Sequence, residues 1–236
     1  MNRSVQSGRS AAPAVGMLLA MLVTSAATAV DVRGSVRSSE EPKSKGIEAI
    51  RAPYWQEWNG FIEPKKSSVD YPREVSAVLI GAAEMRDATS IALRDGTLLP
   101  STIVVQHGTT LRIRNEDDFG HELYVPGLKG FDAVETSPGS TRTIQMEQTG
   151  VFELRDRLSP HVHATLHVVA KVTQVVSPNA DGGFVFKDVA PGSYVVKVFR
   201  GRSEITATEL EVANSKDIVL TAIALDSGAV RSKPGK

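Results

Sequence analysis

The sequence predicts an all-β protein of two β-sandwich domains, and three observations support this fold class. Downstream of residue 73, the apolar residues lie in short runs rich in Val, Ile and Thr, with no sustained 3.6-residue period. Gly, Pro, Asn and Asp separate these runs. The runs recur at intervals of roughly 8–12 residues, a spacing that is typical of a sandwich.

The first 29 residues have the pattern of an export signal. Arg3 and Arg9 precede a short apolar run over residues 14–23, and Ala27-Thr28-Ala29 offers a small-x-small cleavage site. The apolar run is well short of the roughly 20 residues that a membrane-spanning helix needs. We therefore expect residues 1–29 to be a signal peptide and the mature chain to be periplasmic or secreted, with no membrane span.

Composition excludes several classes of function. The mature chain would carry 25 basic and 27 acidic residues, a formal charge of −2, which does not predict a nucleic-acid surface. The sequence contains no cysteine, so disulfides, thiolate nucleophiles and thiolate-ligated metals are all excluded. No P-loop, Gly-x-Ser-x-Gly or His-Glu-x-x-His motif occurs, and we expect a binding protein rather than an enzyme.

The apolar runs predict two sets of strands, divided near residue 171. The first set, in a domain spanning residues 30–170, comprises Val30–Val36, Val75–Ile80, Ser101–Val105, Thr109–Ile113, Thr141–Met146, Val151–Leu154 and Thr165–Val169. The second set, in a domain spanning residues 171–225, comprises Val172–Val176, Gly183–Phe186, Tyr194–Phe199, Thr208–Val212 and Asp217–Ala222.

Two segments do not fit the strand pattern. Residues 37–72 form an insertion that begins with a Ser-, Glu-, Lys- and Pro-rich stretch and continues into Tyr54–Phe61, which holds four aromatic residues, including both tryptophans. This aromatic segment is either a docking surface, since Trp and Tyr dominate binding hot spots, or an insertion packed against the sandwich. The polar tail, residues 226–236, is expected to be disordered.

Residues 103–169 resemble a cupredoxin domain. The segment 103–117 (IVVQHGTTLRIRNED) is similar to the cupredoxin strand that ends in Asn-x-Asp, and His121 follows where the family has its first copper histidine. Gly150–Leu154 resembles the strand before the metal loop, and His161–Val169 resembles the end of that loop and the closing strand. The resemblance is to cupredoxins of exported bacterial proteins, some of the methylamine-utilisation type, and it implies a Greek-key sandwich.

The second domain carries a resemblance of its own. Residues 179–196 (NADGGFVFKDVAPGSYVV) are similar to the D-G-x-F-x-F-x-x-V-x-P-G-x-Y signature of carboxypeptidase-regulatory-like modules, which are small Ig-like or transthyretin-like sandwiches. Such modules are usually accessory domains, so this resemblance implies a fold rather than a function.

The sequence departs from the cupredoxin pattern at the metal loop. Arg157 lies at the position of the family's copper cysteine, Pro160 at that of its histidine, and His163 at that of its methionine. Without the thiolate, a blue-copper centre cannot be built from these residues.

The histidines nevertheless suggest a different metal site. All five lie between residues 107 and 167, and alternation along a strand places His161, His163 and His167 on one face, opposite an apolar face. His161 and His163 would lie close enough to converge on one ion, and His121 would complete a three-histidine site for copper or, alternatively, zinc. Water, Glu122 or Asp118 would supply a fourth ligand.

Two hypotheses for function remain open. In the first, the protein is an exported cupredoxin-like binding protein that holds non-blue copper, or zinc, through His121, His161 and His163, and serves copper handling or a redox partner. In the second, the domain has lost its metal, His107 lies in a turn and His167 on a strand surface. The protein would then be an interaction or structural protein that binds a protein or glycan partner through its loops and Tyr54–Phe61.

Overall fold

The computed structural model describes residues 29–38, 69–81, 87–213 and 217–225. The all-β prediction is confirmed, because the helical structure in these ranges amounts to one turn, α1 (Tyr71–Glu74). No helix in the described part of the chain is long and apolar enough to cross a membrane. The expected signal peptide apart from Ala29, the aromatic segment Tyr54–Phe61 and the tail at 226–236 lie outside the described residues.

The described strands form four sheets. In chain order they are β1 (Val30–Arg37), β2 (Val75–Ile80), β3 (Thr89–Arg94), β4 (Thr97–Leu99), β5 (Thr102–Gln106), β6 (Thr110–Asn115), β7 (His121–Tyr124), β8 (Val134–Thr136), β9 (Thr141–Gln145), β10 (Gly150–Asp156), β11 (His163–Val169), β12 (Gln174–Val176), β13 (Gly183–Val189), β14 (Gly192–Arg200), β15 (Ser203–Val212), β16 (Ile218–Val219) and β17 (Ile223–Ala224).

The first sandwich packs the sheet β4-β3-β6-β9 against the sheet β5-β11-β10-β7-β8. Leu111 and Ile113 of β6 enter its core, while Arg112 and Arg114 between and beyond them are exposed. The pairs β3–β6 and β5–β11 are parallel and all other pairs in these two sheets are antiparallel. Parallel neighbours need crossover connections, so the strands of this sandwich are not connected by hairpins alone.

The second sandwich packs the sheet β13-β1-β16, with β17 also on β1, against the sheet β12-β2-β14-β15. Its core contains Val32, Leu79, Phe186 and Val198, all fully buried. A central strand of each sheet, β1 or β2, therefore comes from the part of the chain that precedes the first sandwich.

This arrangement differs from the domain assignment made from the sequence, which placed β1 and β2 in the first domain. β1 pairs with β13, and the ring of Phe184 lies over Gly34, where a side chain would collide with it. β2 pairs with β12 and β14. The apolar pattern of a strand indicates that the strand is buried, but it does not specify a partner about 150 residues away.

β2 also joins the two sandwiches, because both of its faces are buried. Val75, Ala77 and Leu79 point into the core of the second sandwich. Val78, on the opposite face, packs with Val104 and Phe199. The Ser76 hydroxyl donates a hydrogen bond to the Thr102 carbonyl oxygen at a distance of 2.5 Å. The four sheets consequently form one stack, with an apolar layer between the sandwiches as well as within each of them.

His167 of β11 lies in this layer between the sandwiches. Its Nε2 is 2.7 Å from the Gly201 carbonyl oxygen and therefore carries the proton that makes this hydrogen bond. Its ring lies 4.6 Å from that of Phe199. Burial lowers the pKa of His167 below 6.5, an effect that the hydrogen bond to Gly201 only partly opposes.

We predict that acidification weakens the fold through His167. In the pH interval between its lowered folded pKa and its unfolded pKa, near 6.5, the unfolded chain binds more protons, so the free energy of unfolding falls as the pH drops through this interval. His167→Gln keeps a donor for Gly201 and does not titrate, so its unfolding free energy should fall less between pH 7.5 and 5. Urea unfolding at several pH values measures this, with His107→Gln as the exposed control; equal slopes for His167→Gln and wild type would contradict the prediction.

We also predict that residues 171–225 do not fold alone. Without β1 and β2, both sheets of the second sandwich lose a central strand and the apolar residues that it buries. The expected result is a ¹H–¹⁵N NMR spectrum with poorly dispersed amide signals for the isolated fragment. A well-dispersed spectrum would show that β1 and β2 are dispensable.

Candidate functional site

His121 is fully buried between two carboxylates at one end of the first sandwich. Its Nδ1 lies 2.5 Å from Oδ2 of Asp156, and its Nε2 lies 3.1 Å from Oδ2 of Asp117. Both carboxylate side chains are at most 5 % exposed. These three residues are called the Asp–His–Asp cluster below.

Backbone amides stabilise the two carboxylates of this cluster. Asp117 accepts hydrogen bonds from the N–H groups of Asp95 and Gly96, at 2.5 and 2.9 Å. Asp156 accepts from the N–H groups of Glu122 and Leu158, at 3.0 and 2.9 Å. Such charge-assisted hydrogen bonds compensate for the water that a buried carboxylate gives up.

The cluster therefore ties together three loops. Asp117 lies in the β6–β7 loop and binds the β3–β4 turn, whose residues Asp95 and Gly96 both have positive φ, as a two-residue type I′ hairpin turn requires. Asp156 binds the start of the β10–β11 loop at Leu158. These three segments, residues 95–96, 116–120 and 157–162, are called the loop end.

Asn115 supports the cluster from the end of β6. Its side-chain oxygen accepts from the Asp117 N–H at 3.0 Å, and its amide donates to the Phe119 and Thr136 carbonyls at 2.8 and 2.9 Å. The Asn-x-Asp segment noted in the sequence is thus an Asn that shapes the loop and an Asp that holds His121. Sequence reasoning selected His121 and missed both carboxylate partners, although this segment was a signal for Asp117.

The hydrogen-bonding partners of His121 limit the roles that its two ring nitrogens can take. An ionised carboxylate only accepts hydrogen bonds, so two such partners require an N–H at each ring nitrogen, unless one carboxyl group holds the proton instead. The two nitrogens lie on opposite sides of the imidazole ring, so Asp117 and Asp156 approach from opposite sides. They cannot converge on one metal ion together with the ring.

The structure does not bring His121, His161 and His163 together. His121 points inward, on the core side of β7 with Leu123, whereas His163 is exposed on the outer face of the same sheet, where it is the cross-strand neighbour of Arg155. His161 is exposed and lies against Gly96, with its Nε2 3.0 Å from the place that a Cβ would occupy there. The even-numbered face of β11 does form core, as the alternation predicted.

The remaining family positions offer no metal ligand either. Arg157, which the resemblance places at the cysteine position, forms an ion pair with Glu122, and Pro160 has no side-chain donor atom. Among the described residues, no group of three His, Asp or Glu side chains could hold a metal ion. The residues present therefore fit neither a blue-copper centre nor the three-histidine site proposed from the sequence.

Two large apolar side chains are exposed on the loop end. Phe119 is 52 % exposed and its ring lies 4.7 Å from that of His121. Leu158 is 57 % exposed, and its backbone N–H is held by Asp156. The Phe119 ring thus contacts the Asp–His–Asp cluster directly, and Leu158 is bound to it through its backbone.

Comparison with known families identifies the class of the first sandwich. The family model described as a cupredoxin-like domain matches residues 73–168. This confirms the cupredoxin-like domain that the sequence predicted, and the match also includes β2, which pairs with the second sandwich. No curated protein sequence matches the chain.

Solved structures include similar domains. A purple cupredoxin from Nitrosopumilus maritimus is 17% identical, covering 34% of this chain and 98% of that chain, with a TM-score of 0.31. Amicyanin from Paracoccus versutus is 15% identical, covering 38% of this chain and 96% of that chain, with a TM-score of 0.32. A copper-containing nitrite reductase from Thermus scotoductus is 20% identical, covering 38% of this chain and 24% of that chain, with a TM-score of 0.32. The resemblances to carboxypeptidase-regulatory-like and methylamine-utilisation proteins stay predictions.

We predict that His121→Ala strongly destabilises the protein. The substitution leaves two buried carboxylates without their shared donor, and loss of one partner from a buried charged pair costs about 3–5 kcal/mol. Urea unfolding at pH 7 measures the change in unfolding free energy. His107→Ala, which removes an exposed histidine in a turn, should cost less than about 1 kcal/mol; a similarly small cost for His121→Ala would contradict a structural role for the cluster.

Proposed function

We propose that the protein is an exported binding protein whose cupredoxin-like domain acts without a metal ion and engages a protein partner through its loop end. The observation that carries this proposal is the Asp–His–Asp cluster. Both ring nitrogens of His121, the residue at the family's copper-histidine position, lie within hydrogen-bond distance of carboxylate oxygens. A histidine ligates a metal through a ring nitrogen that has lost its proton, and neither nitrogen faces an open coordination position here.

The cluster supports recognition because it makes the loop end rigid. Three loops that would otherwise move independently share hydrogen bonds to Asp117 or Asp156. A surface that is already ordered before binding loses less conformational entropy on association. Phe119 and Leu158 then present exposed apolar area in fixed positions, which is the chemistry of a protein-binding hot spot.

The same observations argue for a binding role over catalysis. His121 and both carboxylates are buried beneath the loop end, so a substrate in solution does not reach their ionisable atoms. Export to the periplasm or outside the cell, proposed from the N-terminal sequence pattern, makes a periplasmic or extracellular protein the expected partner. Copper handling, the alternative function, requires ligands that the described residues do not bring together.

We predict that the mature protein, residues 30–236, does not bind Cu(II) or Zn(II) with a dissociation constant below about 1 μM. Isothermal titration calorimetry measures this, with a His121→Ala, His163→Ala double variant beside the wild type. Tight one-to-one binding by the wild type that the double variant loses would overturn the metal-free proposal and restore the histidine site.

We predict that Phe119→Ser combined with Leu158→Ser weakens partner binding at least tenfold, because hot-spot residues commonly contribute more than about 2 kcal/mol. The measurement is crosslinking in a periplasmic extract of the native host, with the crosslinked protein identified by mass spectrometry and its affinity then measured in purified form. Val219→Ser, which removes an exposed apolar residue of the second sandwich, is the matched control.

A third variant, Trp55→Ala with Trp58→Ala, tests whether the partner binds the aromatic segment instead of the loop end. If binding survives the Phe119 and Leu158 substitutions and is lost with the tryptophans, the partner binds the aromatic segment and the loop-end proposal is wrong. Loss with the loop-end variant alone supports the proposal.

A further inference from the structure

A cleft lies where the two sandwiches diverge, on the side of His163. It has a volume of about 470 Å³ and is lined by residues from both sandwiches, among them Arg73, His163, Thr165, Arg200 and Ser203. A second hollow of about 340 Å³, lined by Tyr124, Arg155 and Arg157 among others, also contacts His163. The two hollows meet at His163 and together are called the interdomain cleft.

Strand geometry explains why the cleft opens at this point. Side chains at alternate positions of β11 share a face, so His163, Thr165 and His167 all point toward the second sandwich. His167 is covered by Phe199 and Gly201, whereas His163, four residues earlier, is exposed. The second sandwich thus covers the outer face of the sheet at His167 and leaves it exposed at His163.

A cross-strand row forms the floor of the smaller hollow. Arg155 of β10 lies opposite Tyr124 on one side and His163 on the other. Side chains opposite one another in adjacent strands lie about 5 Å apart, so an aromatic ring, a guanidinium group and an imidazole line up along this floor. His163 is oriented by its Nδ1, which lies 2.9 Å from the His161 carbonyl oxygen.

The cleft is rich in arginine. Four guanidinium groups line it, those of Arg73, Arg155, Arg157 and Arg200, against three lining carboxylates, and Glu122 pairs with Arg157 from outside the lining. One of the three, Asp156, faces the core and binds His121. The chain as a whole has no formal net charge, so this concentration of arginines is local.

Acidic neighbours hold three of these arginines in place and leave one available. Glu74 contacts Arg200 at 3.2 Å, Glu153 contacts Arg155 at 2.7 Å, and Glu122 pairs with Arg157. Arg73 forms no ion pair with any described residue, and it lines the larger hollow together with Arg200. An arginine with no carboxylate partner among the described residues is suited to take the carboxylate of a ligand through two parallel hydrogen bonds.

We propose that the interdomain cleft binds a hydroxylated carboxylate, the chemistry of a uronic acid. Arg73 takes the carboxylate, the hydroxyl groups of Thr165 and Ser203 bind ligand hydroxyls, and Tyr124 offers an aromatic face to a sugar ring. The volume of the larger hollow lies in the range of about 300–1,000 Å³ that is typical of small-molecule sites. The smaller hollow borders the loop end at Arg157 and Pro160. The four residues proposed to contact the ligand lie outside the loop end, so the proposal stands whether or not the proposed function is correct.

The test is NMR titration of the ¹⁵N-labelled mature protein, residues 30–236, with galacturonate as the probe and galactose as its uncharged counterpart. We expect saturable shifts of the Thr165, Gly201 and Ser203 amide signals with galacturonate, with a dissociation constant below about 1 mM, and no saturation with galactose. Absence of saturable galacturonate binding, or equal binding of both sugars, would overturn the proposal.

Arg73→Gln should weaken galacturonate binding at least tenfold, because a charge-assisted hydrogen-bond pair is lost. Arg112→Gln is the matched control, since Arg112 is an exposed arginine on the far sheet of the first sandwich. Both residues are exposed, so both variants should fold, and thermal unfolding followed by circular dichroism verifies this. Equal loss of affinity in the two variants would show that only general charge attraction is involved and would also overturn the proposal.

Discussion

The burial of β2 on both faces is the constraint on which the arrangement of the molecule depends. Leu79 and its neighbours complete the core of the second sandwich, while Val78 packs against Val104 of the first. Each buried side chain of this kind contributes about 1.5–3 kcal/mol. Because one short strand serves two cores, the sandwiches pack directly on each other, and the outer face of β11 becomes an internal surface at His167 and a cleft wall at His163.

His121, which the resemblance places at the family's copper-histidine position, lies between two carboxylates. The hydrogen bonds of its ring nitrogens to Asp117 and Asp156 connect loops. A fold and the chemistry of its site are separable, since the sandwich core depends on apolar alternation and the site on a few side chains at its end. The loop end presents exposed apolar surface at Phe119 and Leu158.

Individual strands show which elements the sequence pattern could predict and which it could not. β2 was predicted with its observed bounds, Val75–Ile80, because an apolar run interrupted only by Ser76 is typical of a fully buried strand. The β3–β4 hairpin was missed, although Asp95-Gly96 between two apolar runs is a strong signal for a type I′ turn. β7 and β8 are only four and three residues long, too short for alternation to identify them.

The sequence by itself determined the all-β class, the cupredoxin-like domain, the absence of a thiolate ligand and the core face of β11. The cupredoxin-like domain follows from the resemblance of residues 103–169 to that family, and the other three follow from residue type or from local periodicity, which do not depend on how the chain folds. Only the tertiary structure decided that β1 and β2 belong to the second sandwich, that His121 and His163 face opposite sides of one sheet, and that His121 lies between Asp117 and Asp156. These outcomes depend on pairing between distant segments, and the free energy that selects a pairing comes from complete cores rather than from any one strand.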